Sequence, residues 1–588
     1  MKKIHLLSLL CGFVLVGCVN NDYDLSDIDT TARFNINDLV IPINIDGVTL
    51  KKVMDLSETS KIKVVDGEYA VVEDGTFKSN KIEVASFTTK KPEIAPIVAS
   101  LDLTQFTQAK AMDAGDSPLA YYNLSDKSTT ITIEAHDVDA PVKTIKEASV
   151  DATIDLAVKV SGLSDILSVI RFDGVKVQLL KGLEFSRIST AMGDLDLSVY
   201  NPVTGILDFS SMSMATPDGT IAIKFYLSKI DAAQCGMNFS NPDLEISAKC
   251  YVAEGRISIC ATDFKGIPTS LPEQINFRCD IDVSPVEVKT FSGKMKYDIT
   301  GLNIDPVKLT DIPDFLNQPS TDVKLNNPQI YLQFNNPLVE QGYNLTATTG
   351  LRLTANRDKA AAKAFDLDDS QELVADEMQN VYVLSPAAPT KYYSGYSGAE
   401  HVGFKALSDV LSGDGMPKTI SIDALNPQLP EQEVVGFKLG NVFNPVVGSY
   451  VLYAPLQLKE GASIVYVDSI DSWNDEDLDA LTIESLSLSM LTTSDVTLDM
   501  TLKAYPIMIK GGKQYVDKSI CGTAHISSLA KGEQVNVVMN GEITHLDGVC
   551  FEATLKAADG GNEVLKPDME IKFDNLKVKV SGYYEKEL

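Results

Sequence analysis

The chain has 588 residues, 44% of them apolar, and a formal net charge of −30 at pH 7. That length gives a prior of about four domains, and so acidic a surface repels nucleic-acid phosphates, which excludes nucleic acid as an expected partner. Beyond one short apolar run at the N-terminus there is no long hydrophobic stretch, so the remainder reads as ordinary soluble modules.

That run comes first in chain order. Lys2 and Lys3 precede apolar residues from Leu6 to Val16, and then come Gly17 and Cys18. A basic start, an apolar centre and a small residue before a cleavage point describe an export segment, and this one is too short to span a bilayer. Leu15-Val16-Gly17-Cys18 resembles the lipobox of bacterial lipoproteins. The resemblance implies cleavage between Gly17 and Cys18, a diacylglycerol thioether on Cys18 and a palmitate-type chain on the new amino terminus, hence anchoring to a membrane by lipid. Loss of residues 1–17, with Lys2 and Lys3, leaves 571 residues at formal charge −32. Val19 differs from the Asp that retains lipoproteins in the inner membrane, which favours the outer membrane under the same resemblance.

Residues 18–34 carry Asp22, Asp24, Asp27 and Asp29 before the first basic residue, Arg33. A polar anionic stretch buries too little apolar area to fold, so it reads as a tether. A lipidated Cys followed by acidic residues resembles the surface-export signals of Bacteroidetes-type lipoproteins, here interrupted by Val19, Asn20 and Asn21, and implies display outside the cell in preference to the periplasm.

From there the period is two. In Asp151 to Val160, Ile154, Leu156, Val158 and Val160 alternate with polar or small neighbours, the mark of a half-buried strand. The pattern recurs at Leu195–Val199, Ile330–Phe334, Val496–Ala504 and Leu576–Val580. Helical periods are confined to Leu163–Ile170 and to Phe404–Leu411, where Gly413 is placed to stop the helix. The expected fold class is all-β, mainly antiparallel, as tandem β-sandwich modules with a few short helices.

Internal similarity supports repetition. Leu309-Thr310-Asp311-Ile312 leads to Leu325-Asn326-Asn327-Pro328, and Leu407-Ser408-Asp409-Val410 leads to Leu425-Asn426-Pro427. Asn-Pro is expected to end strands, because proline removes a ladder donor, and Ser or Thr before Asp to start helices. Ser161-Gly162, Thr300-Gly301 and Ser581-Gly582 space the chain further. The expected division is a signal peptide (1–17), a tether (18–34) and four modules at 35–162, 163–301, 302–435 and 436–588. The strand, Asn-Pro, strand segments at 195–209 and 330–353 are similar to the immunoglobulin-like sandwich of late-embryogenesis-abundant type domains. With the lipobox and the acidic tether, the chain resembles uncharacterised Bacteroidetes-type outer-membrane lipoproteins, a family that implies no activity.

Export permits disulfides among Cys235, Cys250, Cys260, Cys279, Cys521 and Cys550. Cys250 and Cys260 flank Glu254-Gly255 and would face each other across a hairpin. The inventory Cys521, His525, His545 and Cys550 could ligate zinc, but the spacing has no CxxC, and a disulfide or free thiols are the stronger expectation. Tyr392, Tyr393, Tyr396 and His401, set among serines and glycines, form an expected aromatic loop able to stack on sugars or meet a protein. Asp468, Asp471, Asp475 and Asp477 surround Trp473, the single tryptophan, and could offer oxygens to calcium; without an EF-hand glycine they read as a solvated loop, so no metal and no cofactor is expected.

The mature histidines are His136, His401, His525 and His545, and GxSxG, HExxH and phosphate-binding glycine loops are missing from the sequence. The chain is therefore expected to bind a glycan or protein, or to act as a spacer, and not to be an enzyme. A periplasm-facing assembly partner comes second and a glycoside hydrolase, with its carboxylate pair, last.

Overall fold

Alternation of apolar and polar residues becomes strand almost wherever it occurs. The computed structural model describes residues 31–42, 48–102, 118–124, 127–161, 169–210, 213–215, 220–263, 265, 273–318, 320–358, 360–368, 371–413, 415–473, 480–557 and 564–587. The all-β expectation holds: strand dominates and helices are short turns of four or five residues. Gly17, Cys18 and the tether as far as Thr30 lie outside the described residues, as do residues 163–168 of the first expected helix. Val169 and Ile170, the last two residues of that expected helix, begin the strand Val169–Gln178.

Contacts divide the chain into two units, each continuous in space but interrupted in sequence. Unit 1 takes residues up to Asp55, Asp314–Thr321 and Lys459–Leu588, and unit 2 takes Leu56–Pro313 and Asp322–Leu458. This division departs from four tandem modules, because ladders cross each expected break. Val142–Ser161 pairs with Thr220–Asp231 and Gln274–Val283, beyond Gly162. Glu287–Asp298 pairs with Thr419–Lys438, beyond Gly301, and Gly436 sits inside the latter strand. The tether likewise ends earlier than residue 34, since Thr31 to Phe34 already pair with Glu587 to Tyr584.

Unit 1 consists of two antiparallel five-stranded sheets. In the first, Thr31–Pro42, Glu570–Glu587, Leu481–Ser494 and Lys531–Ile543 follow one another, and Val48–Thr49 joins Glu570–Glu587. In the second, Ser463–Ile470, Leu546–Ala557 and Leu498–Lys510 are adjacent, and Lys513–Val516 and Gly522–Ile526 both pair with Leu498–Lys510. Gly582 lies within a strand and not at its end: a Cβ there would strike the Thr482 carbonyl, so the close pairing of the two chains requires glycine.

Unit 2 is organised by two 20-residue strands, Val142–Ser161 and Thr419–Lys438, both joined to Glu287–Asp298. At several times the common strand length, each carries register shifts that relieve its twist. Asn426-Pro427 is one such place. Asn426 adopts φ +51° inside Thr419–Lys438, so this Asn-Pro step bends a strand instead of ending it. Asn336-Pro337 does end its strand, and Asn336 Oδ1 then accepts the Leu338 amide (3.0 Å) to cap the helical turn Pro337–Glu340.

Two local expectations change. Leu195–Val199 is a strand end followed by a 3-10 turn, Leu197–Val199, because the Asp196 carboxylate accepts the Ser198 amide (2.8 Å). The Phe404–Leu411 helix is present as Leu407–Leu411, with Phe404, Leu407 and Leu411 fully buried. Its C-terminal carbonyls are met by the Arg357 guanidinium, which donates to Val410 O (3.1 Å) and Ser412 O (2.5 Å), and Gly413 follows at φ +115°.

Candidate functional site

The inner face of the second sheet of unit 1 can be read row by row from its register. Ile464, Leu555 and Met500 form one row across three strands, Tyr466, Ala553 and Leu502 the next, and Asp468, Phe551 and Ala504 a third. Ala553 puts a small side chain at the middle of the central row, and the floor dips there. Met490, Ile571, Phe573 and Leu576 face it from the first sheet, and Leu50, Val53 and Met54 close one side. The result is a cavity of about 200 Å³.

The helical turn Leu50–Met54 that closes it is fixed at its N-terminal end. Thr49 Oγ1 accepts the Lys52 amide (3.3 Å), and the Leu50 amide donates to Met569 O (2.8 Å). Its apolar residues turn inward and Lys51 and Lys52 remain exposed. Packed interiors rarely hold voids larger than a water molecule, and this space is well above that size. Among the described residues of the lining Asp468 is the only charged one and Tyr466 the only other polar one. Asp468 Oδ1 accepts the Ser469 amide (2.8 Å), and the Tyr466 hydroxyl donates to Oδ2 (3.3 Å). Burial raises the Tyr466 phenol above its ordinary pKa, with Asp468 adding to the effect.

Sequence reasoning missed this cavity. A run of alternating apolar residues gives no sign of how far apart two facing sheets stand, and the one usable signal was a small residue, Ala553, between larger inward neighbours.

The tyrosine segment of unit 2 is placed differently from the free loop expected. Tyr392, Tyr393 and Tyr396 are half-buried against the sheet residues Ala70, Val72, Tyr331, Val383 and Tyr453. Ring centroids lie 4.7 Å apart for Tyr331 and Tyr396 and 5.0 Å for Tyr393 and Tyr453. The segment is latched as well as packed: the Tyr393 amide donates to Tyr331 Oη (2.9 Å), whose hydroxyl donates to Gln329 Oε1 (2.5 Å), and Lys391 pairs with Asp66 at 3.0 Å. Desolvation pushes the Tyr331 phenol up to about 12. His401 stands apart on the strand Glu400–Gly403, with its Nε2 3.2 Å from Ser385 O.

The cysteines do not assemble as expected. Asp243–Cys260 is one strand of 18 residues, and Gly255, at φ +114° over Val175, makes a bulge and not a turn. Cys250 and Cys260 therefore point from distant positions of a single strand. The six described cysteines form no disulfide, and Cys521 is the exposed one among them. Burial pushes Cys250 and Cys279 up to about 12 and Cys235 up to about 11. Cys521 precedes the strand Gly522–Ile526, which pairs with Leu498–Lys510 on one side, while Cys550 pairs with Tyr505 on the other side of that strand. Two strand spacings, about 10 Å, separate the two cysteines, beyond disulfide reach.

The zinc inventory fails on the same ladder. His525 is level with Thr501 and Cys550 with Tyr505, four residues or about 13 Å further along. Among the described residues no group of three or more His, Cys, Asp or Glu could hold a metal ion. Of the calcium candidates, Asp468 ends up at the cavity and Asp471 contacts Ser472 Oγ (3.2 Å), while Asp475 and Asp477 lie outside the described residues. Carboxyl groups with a displaced pKa, such as Asp231, Asp305 and Asp366, are all held below the usual range by hydrogen bonds or an arginine.

No helix among the described residues is long and apolar enough to cross a membrane. No protein-family model and no curated protein matches the chain. A crystal structure of a protein described as secreted, from Parabacteroides distasonis, is similar over 50% of this chain and 89% of its own, at 18% identity and a TM-score of 0.34. That likeness is too slight to carry fold or function across.

Proposed function

We propose that the chain is a lipid-anchored protein of the outer membrane that acts without catalysis, by binding an extracellular glycan or protein or by holding its modules away from the bilayer. The observation that carries this reading is the pairing of the two ends. Thr31–Pro42 lies antiparallel along Glu570–Glu587 through ten paired positions, so the chain enters unit 1 thirteen residues after Cys18. Fully extended, that interval spans about 45 Å. A lipid on Cys18 holds unit 1 near the bilayer, and unit 2, inserted within unit 1 in sequence, carries the half-exposed rings of Tyr392, Tyr393 and Tyr396 as a surface for stacking on sugar or packing on protein.

A second reading has its own support. Among the described residues Thr31–Pro42 pairs on one side only, as the edge of its sheet, and exposes Phe34, Leu39 and Val40. An apolar edge strand favours assembly with an envelope partner by strand addition.

Intact cells treated with a non-penetrating protease separate the two, with a periplasmic protein as the leakage control. The surface reading expects digestion of the wild-type chain on intact cells and release of Cys18→Ser from the membrane fraction. Protection until lysis would overturn surface display in favour of the assembly reading, and membrane retention of Cys18→Ser would overturn the lipid anchor.

A further inference from the structure

We propose that the cavity of unit 1 is a binding site for one aliphatic chain whose head group, a hydroxyl or an amine, donates a hydrogen bond to Asp468. Its volume of about 200 Å³ exceeds the roughly 150 Å³ at which an apolar cavity accepts benzene and stays dry. Met54, Met490, Met500 and Met569 contribute to the wall. Unbranched and polarizable, they adapt to a chain of irregular shape better than branched residues do.

The lining also selects the head. Apart from Tyr466 and Asp468 every described lining residue is apolar, so a polar group set among these apolar residues would lose its hydrogen bonds to water without replacement. Asp468 is exposed and belongs to the third row of the floor. Its carboxylate uses one oxygen for the Ser469 amide and the other for the Tyr466 hydroxyl, which leaves lone pairs free to accept a further donor. A fatty-acid carboxylate would meet a like charge at Asp468, on a chain of net charge −30, whereas an alcohol or an ammonium meets an acceptor. The ligand class is therefore a neutral or cationic single-chain amphiphile. This inference does not depend on which side of a membrane the protein faces.

The test uses the purified full chain and the fluorescence of N-phenyl-1-naphthylamine, with decan-1-ol, decylamine and decanoate as competitors. The proposal expects the probe to bind with a stoichiometry of one, and the alcohol and the amine to displace it at concentrations about tenfold lower than decanoate. Ala553→Phe should reduce probe affinity about tenfold or more while the unfolding midpoint stays or rises. If that variant does not fold, Ala553→Leu, a smaller plug, decides the question in the same way. Asp468→Asn should keep probe affinity and abolish the advantage of decylamine over decanoate. Absence of probe binding, or binding undiminished in the folded Ala553 variant, would overturn the site. Decanoate competing as well as decan-1-ol would overturn the head-group assignment.

Discussion

The two units are made of the same alternating strands, yet the spaces described inside them differ in size. In unit 2 Phe437 sits at the centre of a ring cluster, with Tyr343, Phe443 and Phe291 at 5.0, 5.3 and 5.9 Å, and two apolar spaces described in that unit are about 60 Å³ each. In unit 1 the corresponding interior combines aliphatic residues and methionines with Phe315, Phe551 and Phe573 around Ala553, and about 200 Å³ stays open. Alternation decides which face of a strand goes inside. Side-chain volume decides whether two inner faces then meet.

The largest effect expected from this contrast comes from removing bulk. Phe437→Ala should destabilise unit 2 by about 3–5 kcal/mol, whereas Met500→Ala in unit 1 should cost about 2 kcal/mol, the low end for such truncations, since its neighbour space is already empty. Denaturant unfolding of each variant measures both, and equal losses would break the comparison. Adding bulk should sharpen it. Ala355 is fully buried in unit 2, and Ala355→Leu should cost about 1–3 kcal/mol by overpacking, while Ala553→Leu should be neutral or stabilising.

Alkali should also act unequally. Tyr200, Tyr331 and Tyr382 of unit 2 are pushed up to about 12 by burial, and in unit 1 Tyr505 is. The folded state keeps these phenols neutral while the unfolded chain ionises near pH 10. Their stabilisation is therefore complete below pH 10 and is lost as pH rises towards 12, more in unit 2 than in unit 1. Unfolding midpoints at pH 9 and pH 11 report this, and Tyr331→Phe should reduce the decline. The smallest effect is a null one. Because the six described cysteines form no disulfide, reductant should leave both units' unfolding midpoints unchanged, and iodoacetamide at pH 8 should label, of these six, Cys521 alone in the native chain, as read by peptide mapping.

Much of the secondary structure was legible because it rests on short-range periodicity. Asp151–Val160 and Leu576–Val580 fall inside long strands as their alternation required. What failed was punctuation. Glu254-Gly255 reads as a turn, but with Val175 packed beneath it the same glycine serves a bulge and the strand runs on. Asn426-Pro427 and Ser581-Gly582 likewise sit within strands, because pairing on both flanks outweighs local turn chemistry. Domain organisation was hidden for a related reason: strands distant in sequence pair, and nothing in Thr31–Pro42 announces Glu570–Glu587 as its partner. Of the candidate sites, the tyrosines were legible as a group but not as packed on Tyr331 and Tyr453, and Asp468, read as part of a solvated acidic loop, lines an apolar cavity.

Xenon tests the contrast between the units most directly, since it enters dry apolar space without needing a head group. A crystal under xenon pressure should show an anomalous peak beside Ala553, Met490 and Met500 in unit 1 and none of comparable height in unit 2. An empty unit 1, or a stronger peak in unit 2, would contradict the account.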